Sequence, residues 1–206
     1  RMLNLAIDES KKENIKDFRL DLVNIDKKSS LKKGMEVEAV LLNGAPVNFT
    51  HQENNLNIQW EKGSLKEETA EFTIKYHGVP AGGLKIGVNK YGERCFFNEN
   101  WPNNTRHWLP TIDHPYDKAT NEFVVIAPSK YKVVSNGLLM EESKLDSENT
   151  LTHWKQNVPV SSWLYVLGVA EFAVQHVDEF DHKSIQTWYI LKIERQDLKI
   201  LKHRLK

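Results

Sequence analysis

Eight histidines are the first residues in this sequence whose chemistry invites a function. A helical His-Glu-x-x-His pair would set two zinc ligands one turn apart with a general base beside them. No such pair occurs. His107, His114 and His153 are separated by strand-like and turn-like stretches, and none has a partner at ligand spacing. They read as hydrogen-bonded structural residues beside Trp and Asp. Serine hydrolysis has no support, because no Gly-x-Ser-x-Gly elbow is present. Gly78-Val-Pro-Ala-Gly-Gly83 is glycine-rich, but it lacks the Lys-Ser/Thr of a phosphate loop and precedes a strand, so it reads as turn chemistry. Cys95 has no catalytic signature and reads as a small half-buried residue. Glu141-Glu142 lies beside a turn and reads as solvated. Asp113 and Asp117 flank His114-Pro115, where a carboxylate can cap free backbone N–H groups and pair with Arg106. Structural pinning is the expectation there.

Several of these residues fall in Phe97 to Gly137, the stretch around which the chain is organised. Trp101, Trp108, Pro102, Pro110 and Pro115 make it too irregular for a helix, and its large rings make it unlike a solvated loop. It reads as a folded crossing that leads into two β segments, Glu122 to Ala127 and Lys132 to Ser135, expected to pair, with a turn at Asn136-Gly137. Upstream, Phe18 to Ile25, Met35 to Leu42 and Glu71 to Tyr76 alternate apolar and polar residues, the period of a half-buried strand. Asn43-Gly44 is a two-residue hairpin signal, and Pro46 to His51 and Leu56 to Trp60 continue the meander. Charged or polar turns are expected at Asp8 to Lys16, Asp26 to Gly34, Lys62-Gly63 and Lys66 to Glu68. Downstream, Leu138 to Glu142 and Leu151 to Gln156 form an out-and-back pair around Leu145 to Asn149. The apolar run Trp163 to Phe172 reads as a buried strand, prolonged by Val174 to Val177. Strands in this number predict an all-β sandwich or saddle.

Composition sets outer bounds. The chain has 206 residues, with 28 Lys plus Arg against 28 Asp plus Glu. Zero formal charge removes a bulk electrostatic argument for nucleic acid or an anionic membrane as partner. One cysteine excludes an internal disulfide and a multi-cysteine metal site. Six Trp read first as large rings in a β core, and second as a carbohydrate-binding surface. No apolar run approaches the roughly 20 residues of a membrane helix, and no signal peptide is visible. The chain opens at Arg1-Met2-Leu3, already inside a strand-like pattern, so the cellular compartment is left open.

At these residues the chain resembles the N-terminal domain of the zinc aminopeptidases typified by aminopeptidase N and leukotriene hydrolase. The matching pieces run in order: Tyr76-His-Gly-Val-Pro80 with Gly83-Leu84, Asn89-Lys-Tyr-Gly92, Asn100-Trp-Pro102 and Arg106-His-Trp-Leu-Pro110. Asp113-His-Pro115, Asp117-Lys-Ala-Thr120, Val133-Val-Ser-Asn-Gly137, Thr152-His-Trp154 and Gly168-Val-Ala170 follow. Asp21-Leu22 and Asn43-Gly44 fit the upstream part, and the likeness extends to Trp188. It implies an all-β saddle-like domain that packs on a thermolysin-like catalytic domain. In the family, zinc ligands, general base and the Gly-x-Met-Glu-Asn motif for the substrate amine lie in that second domain. Here the resemblance therefore implies no cofactor in this chain, zinc in the full-length parent, and no hydrolysis by this chain alone. The family's N-terminal domain lends one Gln or Glu, a few residues before the Arg, to the active-site rim. Glu99 and Asn100 are the candidates, as acceptors for the ammonium of a peptide substrate.

The likeness departs from the family at both ends. An earlier strand pair usually precedes the segment at Arg1, and without it a sheet edge is unpaired. After Trp188 the family's pattern gives way to a divergent tail, 189–206. Back-translated with AT-rich codons and shifted in frame, Leu191 to Lys206 admits a reading that restores the pattern, and loss of one G would turn Trp-Val-Tyr-Pro into Trp188-Tyr-Ile-Leu191. The expectation is an aminopeptidase-type β domain over 1–188 followed by a frameshifted tail. A stand-alone binding module for glycan or protein is the alternative. It would expose Trp101, Trp108 and Trp154 together, whereas the first reading buries them. A third expectation is self-association through the face meant for the catalytic domain.

Overall fold

The computed structural model describes residues 2–6, 16–26, 30–61, 69–181 and 183–190. The expected turns at Lys62-Gly63 and Lys66 to Glu68, most of Asp8 to Lys16, and the tail from Leu191 lie outside them. The described residues form sixteen strands and two single-turn 3-10 segments, so the all-β expectation holds. No helix among them is long and apolar enough to cross a membrane. The described residues divide into two compact units, the first drawn from 2–85, 99–119 and 160–165, the second from 86–98, 120–159 and 166–190.

In the first unit, β1 (Met2–Ala6), β7 (Thr69–Val79), β3 (Gly34–Leu42) and β4 (Ala45–Pro46) make one antiparallel sheet in the order β1-β7-β3-β4. β2 (Asp17–Asp21), β6 (Asn55–Gln59) and β5 (Asn48–Gln52) make a second, in the order β2-β6-β5. Among the described residues, β1 and β4 are the outer strands of that sheet. Asn43-Gly44 closes the β3–β4 hairpin, with both residues at positive φ, the geometry a two-residue hairpin turn demands. The two sheets pack face to face. Phe72 of β7 lies 5.9 Å from Phe18 of β2 and 5.5 Å from Trp60, ring centre to ring centre. Leu20, Leu56, Ile58, Phe72 and Ile74 are all at most 2% exposed and fill this core.

Strand β3 carries a local surprise. Its buried residues are Met35 and Val37, then Val40 and Leu42, so the inward phase changes midway. A bulge against β7 between Val37 and Ala39 supplies the extra residue. A strand of strict period 2 would have turned one half of this hydrophobic set to water.

The second unit holds three sheets. β10 (Lys118–Pro128), β13 (Asn149–Ser161) and β12 (Leu138–Lys144) form the first, with β13 in the centre. β11 (Lys132–Ser135), β14 (Leu167–Ala170), β9 (Arg94–Asn98) and β8 (Leu84–Val88) form the second. β15 (Phe172–Phe180) and β16 (Lys183–Ile190) form a separate hairpin. The expected out-and-back pair around Leu145 to Asn149 is the β12–β13 hairpin. Two expectations are corrected. The segments Glu122 to Ala127 and Lys132 to Ser135 do not pair, because β10 lies beside β13 and β11 lies beside β14. Asn136-Gly137 therefore turns the chain from one sheet to another. Gly137 has φ +83°, and a Cβ there would strike the Lys155 carbonyl. The run Trp163 to Phe172 is likewise no single strand. Ser162–Leu164 is a 3-10 turn, only Leu167–Ala170 pairs as β14, and Phe172 opens β15. Apolar content recorded burial correctly for Tyr165, Val169 and Ala170, but burial is shared by strands and turns.

Candidate functional site

Three segments of the first unit build the site: the turn after β7, the crossing from Glu99 to Pro115, and Val160 to Tyr165. The turn depends on Gly83. Its φ is +69°, and a Cβ would strike the Asn104 carbonyl oxygen and lie 2.9 Å from Trp108 Cδ1, so only glycine fits. The Gly83 carbonyl accepts the backbone N–H of Glu99 at 2.6 Å. That bond ties the main chain of Glu99, while its side chain stays 59% exposed and pairs with Lys85 Nζ. The hydrogen bond and charge of Lys85 hold the Glu99 carboxyl below its ordinary pKa.

Asn100, the neighbouring candidate, points the other way and is 3% exposed. Its Nδ2 donates to the carbonyls of Tyr165 at 3.0 Å and Ser162 at 3.3 Å, and its Oδ1 accepts the indole N–H of buried Trp108 at 2.9 Å. The Tyr76 hydroxyl donates to the Trp108 carbonyl at 3.1 Å. Asn100 thus bridges a buried indole to the Ser162–Leu164 turn. Glu99 faces water.

The pinning expected of Asp113 is observed in full. Its side chain is 1% exposed, and a buried carboxylate needs donors. Oδ2 accepts the Arg106 backbone N–H at 3.1 Å and its Nε–H at 3.3 Å, while Oδ1 accepts the Ser162 hydroxyl at 2.7 Å. Arg106 also reaches Asp21 Oδ2 at 3.4 Å, and the same Asp21 oxygen accepts the Asp113 backbone N–H at 3.0 Å. The Ser161 hydroxyl donates to the Pro115 carbonyl at 2.8 Å. Asp117 is placed differently, its backbone N–H donating to the His114 carbonyl at 3.1 Å.

The histidines fall in unlike surroundings. His107 packs against Gly82, and its buried Nδ1 has no hydrogen-bond partner among the described residues. Burial, followed by the Arg106 charge, holds its pKa below 6.5, against the opposing pull of Asp113. His114 stacks on Tyr116 with ring centres 5.2 Å apart. In the second unit, His153 lies 3.0 Å from Glu122. Among the described residues no three His, Cys, Asp or Glu side chains gather as metal donors.

The Trp test gives a mixed result. Trp108 is buried, whereas Trp101 is 64% exposed and stacks on Trp163 with ring centres 4.3 Å apart. Trp154, in the second unit, is half-buried and donates its indole N–H to the Val133 carbonyl at 3.0 Å. The three rings do not share an exposed surface. Sequence reasoning missed Lys85, Ser162 and Trp163. Trp163 was absorbed into an apolar run, Ser162 stands just ahead of that run with no local signal of its role, and nothing local to Lys85 signals a partner fourteen residues away.

Residues 10–164 match the family described as Peptidase M1 N-terminal domain. The glutamyl aminopeptidase of Sus scrofa is 34% identical over 106 residues, which is 50% of this chain and 11% of that protein. The Homo sapiens glutamyl aminopeptidase is 31% identical over 106 residues, again 50% and 11%. The M1 zinc metallopeptidase from Deinococcus radiodurans shares the fold with a TM-score of 0.72 at 19% identity, covering 98% of this chain and 46% of that one. Legionella pneumophila aminopeptidase A, solved in complex with aspartic acid, gives a TM-score of 0.69 at 16% identity, covering 91% and 21%. The chain thus matches only 11% of the length of those curated relatives and less than half of either structural one.

Proposed function

The chain belongs to the Peptidase M1 N-terminal domain family, and on that premise we propose that it walls the active site of a zinc-dependent aminopeptidase and positions the substrate's amino terminus. In this reading a thermolysin-like catalytic domain of the parent supplies the zinc ligands and general base. The described residues hold no group of three His, Cys, Asp or Glu side chains that could take a metal ion, and in this reading the domain contributes to substrate binding. Exposed Val124, Ile126 and Leu138 on one sheet of the second unit are the kind of surface a catalytic domain would cover.

One observation carries the positioning role. Glu99 holds an ionised, solvent-facing carboxylate on a main chain tied to Gly83. Such a group can accept hydrogen bonds from an α-ammonium. Asn100, the other candidate, supports it from beneath, since its amide already bridges Trp108 and the Ser162–Leu164 turn.

Two measurements test the reading. The source gene, followed across the Trp188 codon, should continue in one frame or another into a His-Glu-x-x-His segment; a gene without one removes the parent enzyme from the proposal. In the full-length protein, Glu99→Gln should raise KM for peptides with a free amino terminus while kcat changes little. An unchanged KM would leave Glu99 without the role. The alternative of a stand-alone glycan module keeps one favourable observation, the exposed Trp101 ring on Trp163. Quenching of Trp fluorescence by an oligosaccharide, lost in Trp101→Ala, would move that reading forward.

A further inference from the structure

We infer that Lys85 is a resident competitor at Glu99: its ammonium occupies the seat that the substrate's amino terminus must take, and so sets how tightly that terminus is held. The inference rests on the proposed anchoring role of Glu99 and adds to it a residue that tunes the anchor.

The geometry comes from two neighbouring strands. Lys85 lies in β8, Glu99 follows β9 directly, and β8 and β9 are neighbours in one sheet. Their backbones are locked together close to both residues, through Glu99 N–H and the Gly83 carbonyl at 2.6 Å. With the main chains fixed, Lys85 Nζ meets Glu99 Oε2. The lysine side chain is 55% exposed and the glutamate 59%. Both side chains are thus more than half exposed, and when they part water can take up the lysine head on its flexible four-carbon stem.

The chemistry of the two cations is nearly the same. A lysine ε-ammonium and a peptide α-ammonium each carry one positive charge and three N–H donors. A carboxylate already paired with Lys85 presents little net charge to an incoming ammonium, so binding is an exchange of one cation for the other. An exposed pair is weak enough to exchange readily. The opposite role, in which Lys85 holds the carboxylate in a productive rotamer, predicts the opposite sign and can be separated from competition by experiment.

The experiment uses the full-length protein and steady-state kinetics with a free-amine peptide substrate. Lys85→Met should lower KM by about two- to fivefold, the scale of an exposed ion pair, with kcat little changed. Lys85→Arg, which keeps the cation, should restore the original KM. In a Glu99→Gln background, Lys85→Met should do nothing. An unchanged or raised KM in Lys85→Met, with Glu99→Gln still raising KM, overturns competition and leaves the anchoring role standing. The same fall in KM in both backgrounds also overturns it, because Lys85 would then act elsewhere. A KM indifferent to Glu99→Gln defeats the anchoring reading itself and the competition with it. In the 206-residue chain, carboxyl carbon resonances supply a direct check that the pair forms in solution. Lys85→Met should return the Glu99 pKa upward towards its ordinary value, and no movement would overturn the inference.

Discussion

Arg106 addresses Asp113 twice through one oxygen: its backbone N–H and its Nε–H both donate to Asp113 Oδ2, at 3.1 and 3.3 Å. The six residues between them are closed into a loop, and Ser162 holds the other carboxylate oxygen. Removing a buried charge partner leaves its donors stranded. Asp113→Ala is therefore expected to cost about 3–5 kcal/mol, while Ser162→Ala, which removes one donor, should cost about 1 kcal/mol. Urea midpoints of the two variants check both the size and the order.

Asn100 predicts a second loss of stability with its own spectral mark. Its amide satisfies the Trp108 indole and two carbonyls in the interior. Asn100→Ala leaves all three without that partner, and a cost of about 2–4 kcal/mol is expected. Near-ultraviolet circular dichroism should lose part of its Trp signal as Trp108 loosens. A variant as stable as the parent chain would mean that water replaces the amide at no cost.

Two histidines predict the pH dependence. His51 Nε2 donates to the Leu22 carbonyl at 3.0 Å, and burial holds its pKa below 6.5. His107 is lowered for the same leading reason. A lowered folded pKa means that the unfolded chain takes up the proton first as pH falls. Stability from these residues is therefore complete above about pH 6.5 and is lost as pH drops through the folded values. The lowered carboxyls of Glu122 and Asp146 act in a separate window, below their ordinary carboxylate pKa. Urea midpoints from pH 8 to 5 should show the first decline, and His51→Gln with His107→Gln should flatten it.

The second unit predicts association of the isolated chain. Glu122, Val124 and Ile126 are exposed at alternate positions of β10, and Glu122 reaches His153 and Lys155 of β13. Leu138 stands opposite Lys155 across the β12–β13 pair. Val124, Ile126 and Leu138 thus share one face and are 57%, 62% and 65% exposed. Sedimentation should show concentration-dependent association that Ile126→Glu reduces without lowering the unfolding temperature. A parent chain that stays monomeric at high concentration would rule this out.

Much of the sandwich was legible along the chain, and the reasons are local. Asn43-Gly44 specifies its turn by φ alone, and β2, β6 and β7 show their buried faces by alternation. Pairing was less legible. Lys132 to Ser135 follows β10 in the chain yet joins β14, whose residues lie more than thirty positions away. Alternation reports which side of a strand is buried and carries no record of which neighbour it meets.

The sequence by itself determined the strand content, the Asn43-Gly44 hairpin turn and the ordered motifs that place the chain in its family. Each of these is written in a few consecutive residues. Only the tertiary structure decided that adjacent Glu99 and Asn100 have opposite fates, one in water beside Lys85 and one buried under Trp108. It also decided that Asp113, rather than Asp117, closes on Arg106 and Ser162. Those outcomes depend on segments up to 65 residues apart meeting at one point. A carboxylate or an amide has the same chemistry wherever it stands; its exposure and its partners are set by what the rest of the chain brings to it.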